Sequence, residues 1–128
     1  MSKNEMILNL TKIKNKQIIT PEIEFDDNRK RRLAVISLQC KLENKPDSHE
    51  IYCLKSNLVA RSLSNPDQIL CFVSTKTRFI SFSPPQLMPF NMMSNSFQGG
   101  IFYLESLETE EEVPIESAAL QISVRRNE

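Results

Sequence analysis

From Leu33 to Leu42 the chain reads Leu-Ala-Val-Ile-Ser-Leu-Gln-Cys-Lys-Leu, and the even positions Ala34, Ile36, Leu38, Cys40 and Leu42 are all apolar. The odd positions turn polar after Val35, through Ser37, Gln39 and Lys41. A period of two sends one face to a core and the other to water, which predicts a half-buried strand; a helix would not alternate in this way. The end of the chain repeats the pattern, with Leu120, Ile122 and Val124 interleaved with Gln121, Ser123 and Arg125. Further strands are expected at 6–10, at 18–25 with a break near Pro21, and at 50–55, 69–75, 77–83 and 101–107. These segments are rich in Ile, Val, Phe and Tyr and are bounded by turn formers. The turn formers are Asp26-Asp27-Asn28, Asn44–Ser48 around Pro46, Asn65-Pro66-Asp67, Pro84-Pro85, Gly99-Gly100 and the acidic stretch before Pro114.

Breaks this frequent leave no room for a long helix. One short helical or irregular turn fits in Gln86–Asn95. Seven to nine half-apolar strands in a chain of 128 residues are best buried by packing two antiparallel sheets face to face. The expected fold class is therefore all-β, a two-sheet sandwich of the single jelly-roll kind, with residues 1–128 forming one domain. An immunoglobulin-type sandwich is disfavoured, because the chain has no Trp and so lacks the Cys…Trp…Cys core signature.

Composition narrows the chemistry. The chain carries 16 basic and 16 acidic residues, so no overall field favours nucleic acid or an anionic membrane. No apolar run reaches the ~20 residues that span a bilayer, and Met-Ser-Lys-Asn-Glu at the start has no apolar signal-peptide core. The expectation is a protein kept in a reducing compartment and not secreted through a signal peptide. Cys40, Cys53 and Cys71 fit it: they are odd in number, far apart, and each sits in an apolar strand-like run, where cysteine acts as a small core hydrophobe. The only two glycines are adjacent, which excludes glycine-rich phosphate loops.

The polar residues do not assemble into a catalytic set. His49 is the single histidine and lies in the turn Lys45-Pro46-Asp47-Ser48-His49-Glu50. Asp47 is a nominal partner, but a triad also needs a nucleophile set against the base, and spacing alone supplies none. With one His and no cysteine pair, a zinc site lacks ligands. Asn9-Leu10-Thr11 matches a glycosylation triplet by chance, and Glu22, Glu24 and Asp26 read as a solvated strand face. No catalytic, cofactor-binding or metal-ligating residues are assigned, and no cofactor or small-molecule substrate is expected.

Three segments stand out as interface candidates. Arg29-Lys30-Arg31-Arg32 reads as a solvated turn, an import signal or a phosphate contact. Glu108–Glu112, with Glu110, Glu111 and Glu112 consecutive, reads as a charged hairpin tip. Leu87, Met88, Phe90, Met92 and Met93 make the tract around Gln86–Asn95 an apolar contact patch or a cover over one end of the sandwich.

The final third adds an order of features. Phe82-Ser83-Pro84-Pro85-Gln86-Leu87-Met88-Pro89-Phe90 is followed by Phe97 and by Ile101-Phe102-Tyr103-Leu104. Then come the acidic turn, Val113-Pro114-Ile115-Glu116-Ser117, and Leu120-Gln121-Ile122-Ser123-Val124-Arg125-Arg126. This order resembles the C-terminal half of the penton-type minor capsid proteins of Maverick/Polinton elements and adintovirus-like DNA viruses. Upstream, Glu50–Lys55, Asn57-Leu58-Val59, Ile69–Val73, Ile23-Glu24-Phe25 and Arg32–Leu38 are similar to earlier segments of that family. Ser117 stands where the family usually has glycine, the early tryptophan is missing, and the chain is shorter than most members.

The resemblance implies a virion structural subunit, or an integrated or host-retained relative, that assembles with copies of itself, commonly as a pentamer, and with other capsid proteins. It would be placed in a virion assembled in the host nucleus or cytoplasm, without a membrane partner. Two alternatives stay open beside it: a monomeric β-sandwich interaction module, and a β-rich nucleic-acid binder using Arg29–Arg32 with Arg125 and Arg126.

Overall fold

The structure, a computed structural model, describes residues 5–24, 31–56, 68–82, 88–94, 96–97 and 100–126, and within them side-chain surroundings for 5–22, 33–56, 75–82 and 100–125. Every regular element among the described residues is a strand. In chain order they are β1 (Glu5–Leu10), β2 (Ile13–Lys14), β3 (Gln17–Ile19), β4 (Ile23–Glu24), β5 (Arg31–Leu42), β6 (Glu50–Ser56) and β7 (Gln68–Thr75). There follow β8 (Phe79–Phe82), β9 (Met88–Ser94), β10 (Ser96–Phe97), β11 (Ile101–Ser106), β12 (Glu112–Val113) and β13 (Ile115–Arg126).

They form two main antiparallel sheets. The front sheet runs β1-β13-β5-β8, with β9 on the same side of β5 as β8. The back sheet runs β2-β3-β11-β6-β7, with β12 beside β11. β4 and β10 make a separate two-stranded pair. Let β8 and β9 count as one broken strand, and let β3 represent its hairpin with β2. The chain then has eight principal strands, ordered 1-8-3-6 in the front sheet and 2-7-4-5 in the back.

That order has a simple origin. Strands 1 to 4 pair with 8 to 5, as one long antiparallel hairpin whose halves are rolled so that successive pairs fall alternately in the two sheets. Rolling adds the 8–3 and 7–4 neighbours, here β13 with β5 and β11 with β6. This is the double Greek key of a jelly roll.

One apolar core lies between the sheets. Leu33, Val35, Leu38, Leu42, Ile80, Leu120, Ile122 and Val124 come from the front, and Ile18, Tyr52, Leu54, Phe102 and Leu104 from the back. Tyr52 turns its hydroxyl out of the core and donates to Glu50 Oε2 at 2.6 Å. Thr20 and Ser56 are buried at the opposite end and give their hydroxyls to the carbonyls of Gly100 and Ile101, at 2.7 and 3.0 Å. Buried polar groups are thus matched where the sheets close.

The face of β5 departs from the alternation read in the sequence. Leu33 and Val35 are buried together with Leu38, Cys40 and Leu42, whereas Ala34 and Ile36 are half-exposed. The register explains it: Gln121 faces Ser37 and Ile122 faces Val35, so Ile36 is an extra residue with no partner on β13. Such a β-bulge moves the period-two phase by one. The apolar face is therefore odd-numbered before Ile36 and even-numbered after it. β13 has its own shift, since Leu42 faces Ile115 and Lys41 faces Ser117. Glu116 is the extra residue there, and Ile115 and Leu120 both reach the core across it.

A second correction concerns 86–95. The expected helical or irregular turn is a strand, β9, paired antiparallel with β5 from Arg31↔Ser94 to Val35↔Met88. Pro89 lies opposite Ala34 in this register. Proline is tolerated in a sheet on an edge strand, and β9 has a partner in the front sheet on one side only among the described residues. Its pairing skips between Arg32↔Met93 and Leu33↔Phe90, leaving Asn91 and Met92 as extra residues in a further bulge.

Candidate functional site

The basic candidates lie on the front sheet and the acidic ones on the back sheet, toward opposite ends of β13. Arg31 and Arg32 open β5, and the register sets Arg32 opposite Arg125 and Arg31 opposite Arg126. Two basic pairs more than ninety residues apart in sequence thus become neighbours. Arg125 is solvent-facing, with 71% of its side chain exposed, and donates to Glu5 on β1. Glu5, Arg125 and Arg32 therefore occupy one row across three strands.

The acidic segment lies beyond the other end of β13. Residues 107–109 form the turn that joins β11 to β12, so the stretch from Glu108 to Glu111 is a hairpin loop, exposed throughout. The turn is tied by Glu110 N–H to the Ser106 carbonyl at 2.9 Å, Ser106 N–H to the Glu111 carbonyl at 2.8 Å, and Glu111 N–H to Thr109 Oγ1 at 3.2 Å. Glu110 takes a positive φ of 59°. Glu112, on β12, accepts from the Gln17 amide. From Ile115 to Arg125 is ten residues of strand, roughly 33 Å at ~3.3 Å per residue. The acidic loop and the arginine row do not meet within one molecule.

Met88, Phe90, Met92 and Met93 lie along the backbone of β9, and their side chains are outside the described residues, as is the Cys71 side chain in β7. Arg29, Lys30 and Leu87 are outside the described residues altogether. Cys40 and Cys53 are buried, Cys53 deeply enough that burial pushes its thiol pKa up, with Glu105 adding and Lys55 opposing. Asp47 and His49 are exposed in the loop before β6. The Asn9 amide oxygen accepts from Gln121 Nε2 at 2.8 Å, and Gln121 Oε1 accepts in turn from Ser37 at 3.1 Å, a polar ladder across the outer face. Among the described residues, no group of three or more His, Cys, Asp and Glu is placed to hold a metal ion. No helix among them is long and apolar enough to cross a membrane.

Two surface features were not singled out from the sequence. The outer face of the front sheet carries an open depression of about 500 Å³, floored by the small residues Ser81, Ser117 and Ala119 and flanked by Gln39, Lys41 and Phe79. Phe79 is 66% exposed, with the Lys41 ammonium 6.0 Å from its ring centroid. Beside it the bulged Glu116 meets Arg78 Nη2 at 2.8 Å and Lys41 Nζ at 3.5 Å. The alternation of Phe79 with Ile80 carried the signal for an outward aromatic, but only the sheet order shows small residues beside it. The second feature is the edge of β1, which pairs only with β13 among the described residues and exposes Met6 (37%) and Ile7 (42%). No protein-family model, curated protein or solved structure matches the chain.

Proposed function

We propose that the protein is a structural subunit of a virion shell, or a retained relative of one, which works by associating with copies of itself and with neighbouring shell proteins, without catalysis. The jelly-roll strand order is the observation that carries this reading. Segments that resemble penton-type minor capsid proteins fall on its strands: Phe82 ends β8, Phe90 lies in β9, Ile101–Leu104 in β11 and Leu120–Arg126 in β13. A further support is the charge layout, with basic and acidic ends of one molecule too far apart to satisfy each other. Subunits that close into rings use heterologous contacts, in which two different patches of each copy meet. Fold alone does not assign function, so the weight rests on association. Size-exclusion chromatography with light scattering on the purified chain should show a defined oligomer whose population rises with concentration. A strict monomer over the whole range would remove the reading.

One observation favours a second reading. The free edge of β1, flanked by exposed Met6 and Ile7, suits a monomeric interaction module that takes an extended peptide as an added strand. A monomeric protein that captures such a peptide would support it.

A further inference from the structure

The structure assigns a partner to the arginine row: we infer that the end of the front sheet bearing Arg31, Arg32, Arg125 and Arg126 docks the acidic β11–β12 loop of a second copy of this chain. The inference deepens the self-association reading above and depends on it. Its first ground is the register, which places Arg32 against Arg125 and Arg31 against Arg126 at the last rungs of β5 and β13. Of these four arginines, Arg125 donates to Glu5 on β1 and keeps most of its side chain in solvent. The loop bearing Glu108, Glu110 and Glu111, with Glu112 beside it, places four carboxylates within five residues.

The second ground is placement. The loop and the row are separated by the length of β13, so they do not meet within a molecule, yet the loop and Arg125 are both exposed to an approaching copy. A contact of loop to row joins two different patches, which is the heterologous arrangement that propagates into a ring or a filament. Carboxylates facing guanidinium groups form charge-assisted hydrogen bonds, and at a rim such pairs set register and association rate more than affinity. A phosphate backbone is the competing anion. The neutral totals of the chain argue against a general polyanion binder.

Reciprocal charge reversal tests the contact. One variant carries Arg32→Glu and Arg125→Glu, the other Glu110→Lys and Glu111→Lys, and each is checked for native circular dichroism before its sedimentation is followed. Each alone removes the opposition of charge between the two ends and should self-associate about tenfold more weakly than the parent chain. Mixed in equal amounts, each supplies the end the other lacks, and association should return to near the parental level. Self-association of the parent should also weaken as salt rises to 1 M, where screening shortens to about 3 Å. If the arginine variant misfolds, the loop variant still decides, because its substitutions are on an exposed turn. Parental association that is unchanged in both variants would overturn this contact while leaving the subunit reading intact. A parent that never associates would overturn both. Steeply salt-dependent binding of a DNA or RNA oligonucleotide, lost in the arginine variant while self-association persists, would assign the row to phosphate instead and overturn the proposal.

Discussion

Deleting Ile36 should leave the protein folded, whereas deleting Gln39, three residues away on the same strand, should unfold it. Ile36 is the extra residue of the β5 bulge, so its removal joins Val35 to Ser37 and gives a strand that alternates without interruption from Leu33 to Leu42. All five buried side chains of β5 keep their faces. The losses are the half-buried Ile36 side chain and the local twist that the bulge supplies, together about 1–2 kcal/mol. Deleting Gln39 instead moves Cys40 and Leu42 from the core to the outer face and turns Lys41 inward. Leu42 is completely buried, and losing its burial costs about 2–3 kcal/mol, with about 1 more for Cys40. Burying the Lys41 ammonium without a partner adds several kcal/mol. The sum falls within the 5–15 kcal/mol that holds a typical domain together. The chain has no tryptophan, so urea unfolding is followed by far-ultraviolet circular dichroism. Unfolding by the Ile36 deletion, or equal tolerance of both deletions, would refute the bulge and the sheet register built on it.

Other consequences follow from the core and from its polar exceptions. Phe102→Ala removes a side chain with no exposed surface at the centre of the back sheet and should cost about 3–5 kcal/mol, read from the urea midpoint. Ser123 Oγ is buried without a hydrogen-bond partner, so Ser123→Ala should be neutral or stabilising by up to about 1 kcal/mol; a clear loss of stability would reveal a partner for that hydroxyl. Tyr52 and Cys53 both have their pKa raised above the ordinary value, burial being the leading cause for each, with the Glu50 carboxylate adding for Tyr52. In the unfolded chain both ionise first, near the ordinary values of 9.0 for Cys and 10.0 for Tyr. Their contribution to stability is therefore complete below that range and falls as pH climbs through it. The expected slope is about 1.4 kcal/mol per pH unit for each group while its unfolded form alone is ionised. Melting curves from neutral to strongly alkaline pH should fall more steeply for the parent than for Tyr52→Phe, and parallel curves would contradict the assignment.

How far the fold could be read in advance depended on whether alternation survived along each strand. Leu120, Ile122 and Val124 follow an unbroken stretch of pleat, so their burial is legible from spacing alone. Leu33 and Val35 were assigned to the wrong face because a bulge shifts phase through the backbone, and Ile36 is as apolar as any core residue. The strand at β9 was obscured by Pro89, which reads as a breaker until the sheet order shows it at an edge. The acidic loop was legible as a hairpin tip, since a run of carboxylates between apolar strands has nowhere to go but water. The pairing of Arg32 with Arg125 was not, because it joins the third and eighth principal strands, which become neighbours only when the long hairpin is rolled into two sheets. Likewise, the depression beside Phe79 is built from three strands and has no local signature.

The central claim is that this jelly roll functions by assembling with itself. Sedimentation velocity of the unmodified chain at low salt, over a wide range of concentration, tests it most directly. The account predicts a discrete oligomer that dissociates on dilution and on addition of salt. A single monomeric species at every concentration would contradict it.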